Sequence, residues 1–278
     1  MPELPELQAH AERLDAAFSG ATLSGFRPLT FTALKTAVPA PGDAFGRPLV
    51  FVGRRGKYLL FDVESVTFVV HLMQGGRLRL DVKQAAKPRG GIARWSFDDG
   101  RALLLTEPGS ERKAGVWVVA GDPEGQEPLD HLGPDADQLD GAQWAALLAR
   151  HPMRLHGLLR DQRIVAGLGR RLANEISHRA RLSPFANTAK FDRAQAEQIA
   201  EASLACINDS LAEERGRDDL SSSAERNSHV HNRVGQACTV CGDTVRSVEY
   251  RAYTVAYCPT CQTAGKILAD NTTSKFLK

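Results

Sequence analysis

Apolar residues change their spacing three times along the chain, and each change predicts a different kind of element. Leu7, Leu14 and Phe18 fall on one face of a stretch that Pro5 opens and Gly20 closes, so an amphipathic helix is expected from Pro5 to about Phe18. Short alternating or apolar runs follow, broken by Gly and Pro. They cover residues 49–52, 58–63, 66–72, 77–80, 94–97, 102–106 and 115–119, and they predict an all-β domain of sandwich or barrel type. Asp98-Asp99-Gly100 reads as a tight hairpin turn. Residues 121–140 are rich in Gly, Pro and Asp and read as a linker. From Gly141 the spacing becomes helical, through Trp144, Leu147, Leu148, Leu155, Leu158, Leu159, Leu172 and Ile176 to the stretch Ala194–Leu211. Residues 212–230 are polar and are expected to bury little and form a mobile loop.

With 278 residues and 42% hydrophobic content, the chain is long enough for two domains and a third small one. No apolar run is long enough to cross a bilayer, and no basic-then-apolar leader opens the chain, which predicts a cytoplasmic protein without a membrane partner. The net charge of +2 excludes little, but its distribution is uneven. Between Arg150 and Arg181 stand eight Arg against two acids, Asp161 and Glu175. A basic field of that kind suits phosphate.

Four of the five Cys are grouped as Cys238-x2-Cys241, sixteen residues, then Cys258-x2-Cys261. That is the spacing of a four-thiolate zinc site on two knuckles, with two disulfides as the competing reading. A closed set of four ligands leaves no open position, so one structural ion is expected. Cys206 stands alone in an apolar helical pattern and is expected to be a buried thiol.

Candidate chemistry begins at Met1-Pro2-Glu3-Leu4-Pro5-Glu6. Removal of Met1 makes Pro2 a secondary amine that titrates at about pH 7.7–8, well below a Lys side chain. Such an amine can attack an electrophilic carbon and form an iminium. Glu3 beside it is a candidate general acid/base. Pro5 and Glu6 can equally be read as a helix start. Lys57, in Gly53-Arg54-Arg55-Gly56-Lys57, is either a surface strand-edge residue or a cation at a rim with Arg54 and Arg55. Gly167 and Gly169 predict a turn between two helices, the second presenting its N-terminal amides with Arg170 and Arg171 outward, as a phosphate seat.

Taken in order, these features resemble the formamidopyrimidine-DNA glycosylase/endonuclease VIII family over essentially the whole chain. The likeness rests on Met1-Pro-Glu-Leu-Pro-Glu6, Arg55-Gly-Lys57-Tyr-Leu-Leu60, His71-Leu72, His131-Leu-Gly-Pro134, Gly167-Leu-Gly169, Ala173-Asn-Glu175 and Cys258-Pro-Thr-Cys261-Gln262. The resemblance implies an α+β multidomain fold: an N-terminal β-sandwich with a leading helix over 1–125, a helix–two-turn–helix domain over 138–225, and a zinc-finger hairpin with its tail over 230–278. It implies a bacterial, nucleoid-associated monomer acting on double-stranded DNA that carries a damaged base or an abasic site. The enzyme flips the nucleotide out, Pro2 displaces the base, and the strand breaks by β-elimination. Catalytic roles fall to Pro2, Glu3, Glu6 and Lys57. DNA contacts fall to Arg55, His71, Gln74, Arg112, Lys113, Gly169, Arg170, Asn174 and Arg251, and metal ligation to Cys238, Cys241, Cys258 and Cys261.

Several positions depart from the family pattern. Arg170 stands where Asn usually follows Gly-x-Gly. Gln74 stands at the intercalating Met, with Met73 one place early. In the loop Glu107–Gly115, Lys113 replaces the wedge Arg and Ala114 the Phe. In the finger, Tyr253 takes the place of an Arg that contributes to phosphate binding and second elimination, and Arg251 is the nearest Arg. These departures admit an alternative: a catalytically degenerate relative that binds damaged or abasic DNA without base excision.

Overall fold

The computed structural model describes residues 1–64, 66–109, 111–220, 225–250 and 253–268. The chain divides into two compact units, Met1–His131 with Glu214–Leu220, and Leu132–Glu213 with Ser221–Lys278.

The first unit opens with helix α1 (Leu4–Phe18). The amide of Glu3 donates to Glu6 Oε2 at 2.6 Å, which ties the residue ahead of the helix to its first turn. Pro5 occupies that turn, where a missing N–H costs nothing. Leu7, Leu14 and Phe18 are buried, as their spacing predicts. Among the described residues, nine strands then build two antiparallel sheets: β1 (Thr22–Pro28), β2 (Arg47–Pro48), β3 (Phe51–Arg55), β4 (Tyr58–Val63), β5 (Val66–His71), β6 (Arg77–Leu80), β7 (Gly91–Phe97), β8 (Ala102–Thr106) and β9 (Gly115–Ala120). One sheet runs β2-β1-β7-β8-β6 and the other β3-β4-β5-β9. Trp95 of β7 holds them together, meeting Phe26 of β1, Phe61 of β4 and Phe68 of β5 at ring-centroid distances of 5.1, 5.5 and 6.1 Å. Edge-to-face contacts of this kind add to what area burial alone contributes. Helix α1 lies on β3, where Val52 N–H donates to Asp15 Oδ1 at 2.8 Å and Arg54 Nε to Gln8 Oε1 at 3.2 Å.

Three expectations change here. Strands β1 and β2 are additional, and the run expected at 49–52 is a strand only from Phe51. The segment expected to bury little over 212–230 is tied down at several points: Glu214, Leu220 and Val230 are buried. Arg13 Nη1 donates to the carbonyls of Glu214 and Arg217, and Leu220 enters the sandwich core. Residues 221–224 lie outside the described residues.

A buried ion pair joins Asp81 to Arg94 at 2.6 Å in this unit. Asp81 also accepts from Gln84 N–H, and Arg94 donates to the Ala85 carbonyl. Asp81→Ala strands a desolvated guanidinium, so it is expected to lower the stability of the first unit by about 3–5 kcal/mol, read from the urea unfolding midpoint.

The second unit is helical and then a hairpin. It comprises α2 (Gly141–Arg150), α3 (Leu155–Arg160), α4 (Arg170–Arg179), α5 (Arg193–Arg215, as far as Glu213), β10 (Arg246–Tyr250), β11 (Tyr253–Tyr257) and α6 (Pro259–Thr263). Asp140 and Gln143 cap α2 reciprocally at 2.8 and 2.9 Å. Trp144, Leu148, Leu155, Leu158, Leu159, Leu172, Ile176 and Ile199 are buried. Around the cysteines, the described residues form a small apolar cluster, Val230, Val245 and Ala256 with Cys238 and Cys258.

Candidate active site and metal centre

The head of α1 is buried although it is the polar end of the helix. Pro2, Glu3 and Glu6 are all buried, with Glu6 fully so. Glu6 is a capping residue as well as a carboxylate: its bond to the Glu3 amide fixes the backbone that carries Pro2 and Glu3. Lys57 lies in the tight turn between β3 and β4 and is 8% exposed, which excludes the surface reading.

His71, at the end of β5, reports what surrounds this corner. Burial holds its pKa down to about 4, and the positive charges of Lys57 and of the chain's amino terminus press it the same way. The Met73 amide donates to His71 Nδ1 at 3.1 Å, which requires that nitrogen to be unprotonated. His71 is therefore a neutral Nε2–H tautomer at pH 7, a hydrogen-bond donor that adds no charge. Its ring lies 4.6 Å from that of Tyr58. So the charges of the amino terminus and of Lys57 both act on His71, and Glu3 and Glu6 stand at the head of α1, just after that terminus.

The remaining sequence-predicted residues of this unit are placed less uniformly. Arg55 is half-buried, its Nε 2.8 Å from Glu124. Gln74, Arg112 and Lys113 are exposed, and Lys113 Nζ meets Glu111 at 3.0 Å. The loop before β9 is organised by Glu107, a buried carboxylate that sequence reasoning did not single out. Its Oε2 accepts from the amides of Lys113 and Ala114, both at 2.7 Å. Ala114 belongs to the sandwich core, so the residue at the family's Phe position points inward.

In the second unit the turn between α3 and α4 is built by Gln162. Its Oε1 accepts from Gly167 N–H at 3.0 Å, and its Nε2 donates to the carbonyls of Leu168 and Arg160 at 2.8 and 3.0 Å. Gly167 adopts φ +95°, a conformation that side chains resist. Gly133 supports the turn from outside: a Cβ there would stand 2.4 Å from the Ile164 carbonyl oxygen. Gly169 is the N-cap of α4, and Arg170 is exposed at its first position. Arg171 differs from expectation, which turned it outward. Arg171 is buried and donates to Ser210 at 3.0 Å, and Asn174 is buried with its amide 2.9 Å from His231 Nδ1. Arg171 therefore braces the interior.

The expected basic field is also partly consumed. Arg163 pairs with Asp161 at 2.7 Å and Arg179 with Asp209 at 2.5 Å. Arg160 lies 4.0 Å over the Tyr253 ring, which stacks on Tyr250 at 4.8 Å and on His156 at 5.8 Å. Arg154 donates to the Tyr250 hydroxyl at 2.6 Å. Arg251 lies outside the described residues.

The cysteines converge. Cys238 and Cys261 Sγ are 3.9 Å apart, and Cys241 and Cys258 Sγ 3.3 Å. Each knuckle is a tight turn: Gly242 N–H bonds to the Cys238 carbonyl at 2.9 Å and Gln262 N–H to that of Cys258 at 3.0 Å. Gln262 Oε1 accepts from Cys258 N–H at 2.8 Å, while its Nε2 reaches the Leu182 carbonyl at 3.0 Å. Four ligand atoms, from His178, Cys238, Cys258 and Cys261, lie within 4.8 Å of one another and can hold a metal ion. The donor chemistry fits. Burial pushes Cys258 up to about 11 and drives Cys261 upward too, so crowded thiols here resist ionising until a cation offsets their charge. Soft sulfur with imidazole nitrogen suits zinc. His178 was not foreseen from sequence. It reaches the site from the last turn of α4, and Glu175 on the same helix accepts from the amides of His229, Val230 and His231 at 2.7, 3.0 and 2.8 Å.

Known proteins share this organisation. The family model of the formamidopyrimidine-DNA glycosylase N-terminal domain matches residues 1–117. The formamidopyrimidine-DNA glycosylase of Geobacter metallireducens is 31% identical over 273 residues, spanning 95% of this chain and 100% of the relative. An uncharacterised formamidopyrimidine-DNA glycosylase-like protein of Mycobacterium tuberculosis is 40% identical over 149 residues, 53% of this chain and 94% of that one. Among solved structures, MutM (Fpg) of Thermus thermophilus superposes with a TM-score of 0.80 at 28% identity, covering 94% of this chain and 98% of that one. Lactococcus lactis Fpg bound to DNA with an abasic site gives 0.81 at 18% identity, over 94% and 99% of the two chains, which speaks to the fold. With sandwich, leading helix, helical middle and C-terminal cysteine cluster in the same order, the chain belongs to the formamidopyrimidine-DNA glycosylase/endonuclease VIII family.

Proposed function

We propose that the protein is a DNA repair glycosylase that removes damaged bases and then cuts the strand as an abasic-site lyase, with Pro2 as nucleophile. The observation that carries this reading is the buried head of α1, where Lys57 and the amino terminus both bear on His71 and Glu6 fixes the backbone of Glu3. Once Met1 is removed, the neutral Pro2 amine forms a bond to C1′ of the sugar as the bond from C1′ to the base breaks. Glu3 moves the protons that let the sugar ring open. The resulting iminium withdraws electrons from C2′, a proton leaves C2′, and the bond from C3′ to its phosphate oxygen breaks. In this reading Lys57 meets the phosphate or sugar beside the lesion. A buried site of this kind strengthens each charge interaction by excluding water. The four-Cys finger holds one structural zinc ion, which supports the fold and takes no part in these bond changes.

A panel of duplexes carrying an oxidised purine, a formamidopyrimidine, an oxidised pyrimidine or an abasic site tests the proposal on a denaturing gel. Cleavage of the abasic duplex together with at least one base lesion supports it. Binding without cleavage of any member favours the degenerate binder instead.

The exposed end of α4 is the proposed phosphate seat, with Gly169 and Arg170 at a helix N-terminus. Arg170→Ala is expected to weaken binding to all duplexes about equally and to reduce the slope of log affinity against log salt by about one. Fluorescence anisotropy at several salt concentrations reads both, and an unchanged slope would take Arg170 out of the interface.

A further inference from the structure

The metal centre has more donors than one ion needs. Zinc in a structural site takes four ligands, and the described residues offer five: the thiols of Cys238, Cys241, Cys258 and Cys261, and Nε2 of His178. His178 Nε2 lies 3.3 Å from Cys238 Sγ, and the His178 ligand atom is within 4.8 Å of all three sulfurs of Cys238, Cys258 and Cys261. Ligand atoms around a tetrahedral zinc stand about 3.4–3.8 Å apart, given bonds of about 2.0–2.3 Å. The imidazole therefore needs to move by little to coordinate.

The five donors are not equivalent in access. His178, Cys238 and Cys258 are buried and Cys261 is half-buried, whereas Cys241 is exposed. Nor are they equivalent in attachment. The four thiols sit on the two knuckles, but His178 sits on α4, a separate helix already pinned to the preceding loop by Glu175. Its ring is further held against that of His229, 5.9 Å away and 22° from parallel, and His229 Nδ1 is 2.6 Å from Thr239 Oγ1. A positioned imidazole behind three buried sulfurs, with the fourth sulfur facing solvent, is an arrangement in which one ligand can be exchanged without dismantling the others.

We propose that the centre uses two overlapping ligand sets that share Cys238, Cys258 and Cys261: the four thiolates, and a set in which His178 takes the place of Cys241. Cys241 is then the exchangeable ligand, and its thiol can react with an electrophile while the ion stays bound. The exchange breaks one Zn–S bond and forms one Zn–N bond, with no change of oxidation state, and the imidazole enters through its unprotonated Nε2. The inference is independent of the glycosylase reading, because its readouts are metal content and metal spectrum.

The test uses the full chain and three variants: Cys241→Ala, His178→Phe, and both together. Each single variant is expected to hold one zinc per chain after dialysis against a weak chelator, and the double variant to release it. With cobalt substituted for zinc, Cys241→Ala should lose about a quarter of the thiolate charge-transfer intensity, one thiolate in four. In the wild-type chain, one equivalent of N-ethylmaleimide is expected to label Cys241 and leave zinc bound; the thiolate adds across the maleimide double bond and solvent supplies the proton. Repeating the series with His178→Asn guards against overpacking by Phe. Loss of the ion from either single variant overturns the proposal. So does retention by the double variant, where water would be the fourth ligand, or release of zinc on labelling Cys241.

Discussion

Pro2→Gly is expected to reduce the borohydride-trapped adduct with an abasic-site duplex by about a hundredfold or more, while duplex affinity stays within a few-fold of wild type. Glycine keeps an amino terminus but loses the pyrrolidine ring. The ring confines φ and presents a secondary amine whose iminium is cationic from the moment it forms. Without it the nucleophile wanders, and displacements on the scale of 1 Å cost about a hundredfold in rate. Pro2 is itself buried at the head of α1, so its orientation is set by the bond from the Glu3 amide to Glu6. Glu3→Gln separates the roles further: it leaves the amine in place and removes proton transfer, for an expected loss of about 10²–10⁴ in excision rate. Equal adduct yields from wild type and Pro2→Gly would assign the covalent step to another amine.

Cys258→Ala is expected to empty the metal centre and unfold the finger while the first unit keeps its urea midpoint. Cys258 is fully buried and belongs to both candidate donor sets. The apolar cluster around it is small, Val230, Val245 and Ala256 being its other apolar members apart from cysteines. A core of that size does not support a hairpin alone, and structural zinc in such modules contributes about 10–16 kcal/mol of apparent binding energy. Limited proteolysis followed by mass spectrometry should show new cleavage over residues 225–268 and an unchanged pattern through the sandwich. Full zinc content, or protection equal to wild type, would mean that Cys258 is not a ligand.

Much of the sandwich and of the candidate site can be read from local patterns. Leu7, Leu14 and Phe18 mark the buried face of α1, the Asp98–Gly100 turn joins β7 to β8, and the cysteine spacing brings the thiols together. Strand β1 escapes that reading because its register shifts between Leu23 and Gly25, which breaks the alternation. The polar segment after α5 escapes it for another reason: composition reports what a segment lacks, not which few residues are tied down. Leu220 and Val230 are isolated apolar residues in a charged stretch, yet one enters the sandwich core and the other the finger core. Lys57 is buried in a turn whose sequence also suits a surface hairpin. His178 had the weakest signal of all. It stands sixty residues before Cys238, and only its place three positions after Glu175, on one helical face, hints that both serve the same neighbour.

Helix α4 carries Arg170 at one end and His178 at the other, eight residues apart and so about 12 Å along the axis. Under the proposed roles, a phosphate would meet the first turn and an ion the last, and any coupling between the two binding equilibria would have to be reciprocal. Whatever factor the ion contributes to the hold on the polyanion, the polyanion must return to the hold on the ion. Were such coupling present, removing the ion with a chelator would weaken the hold on the duplex, and bound duplex would slow the loss of the metal.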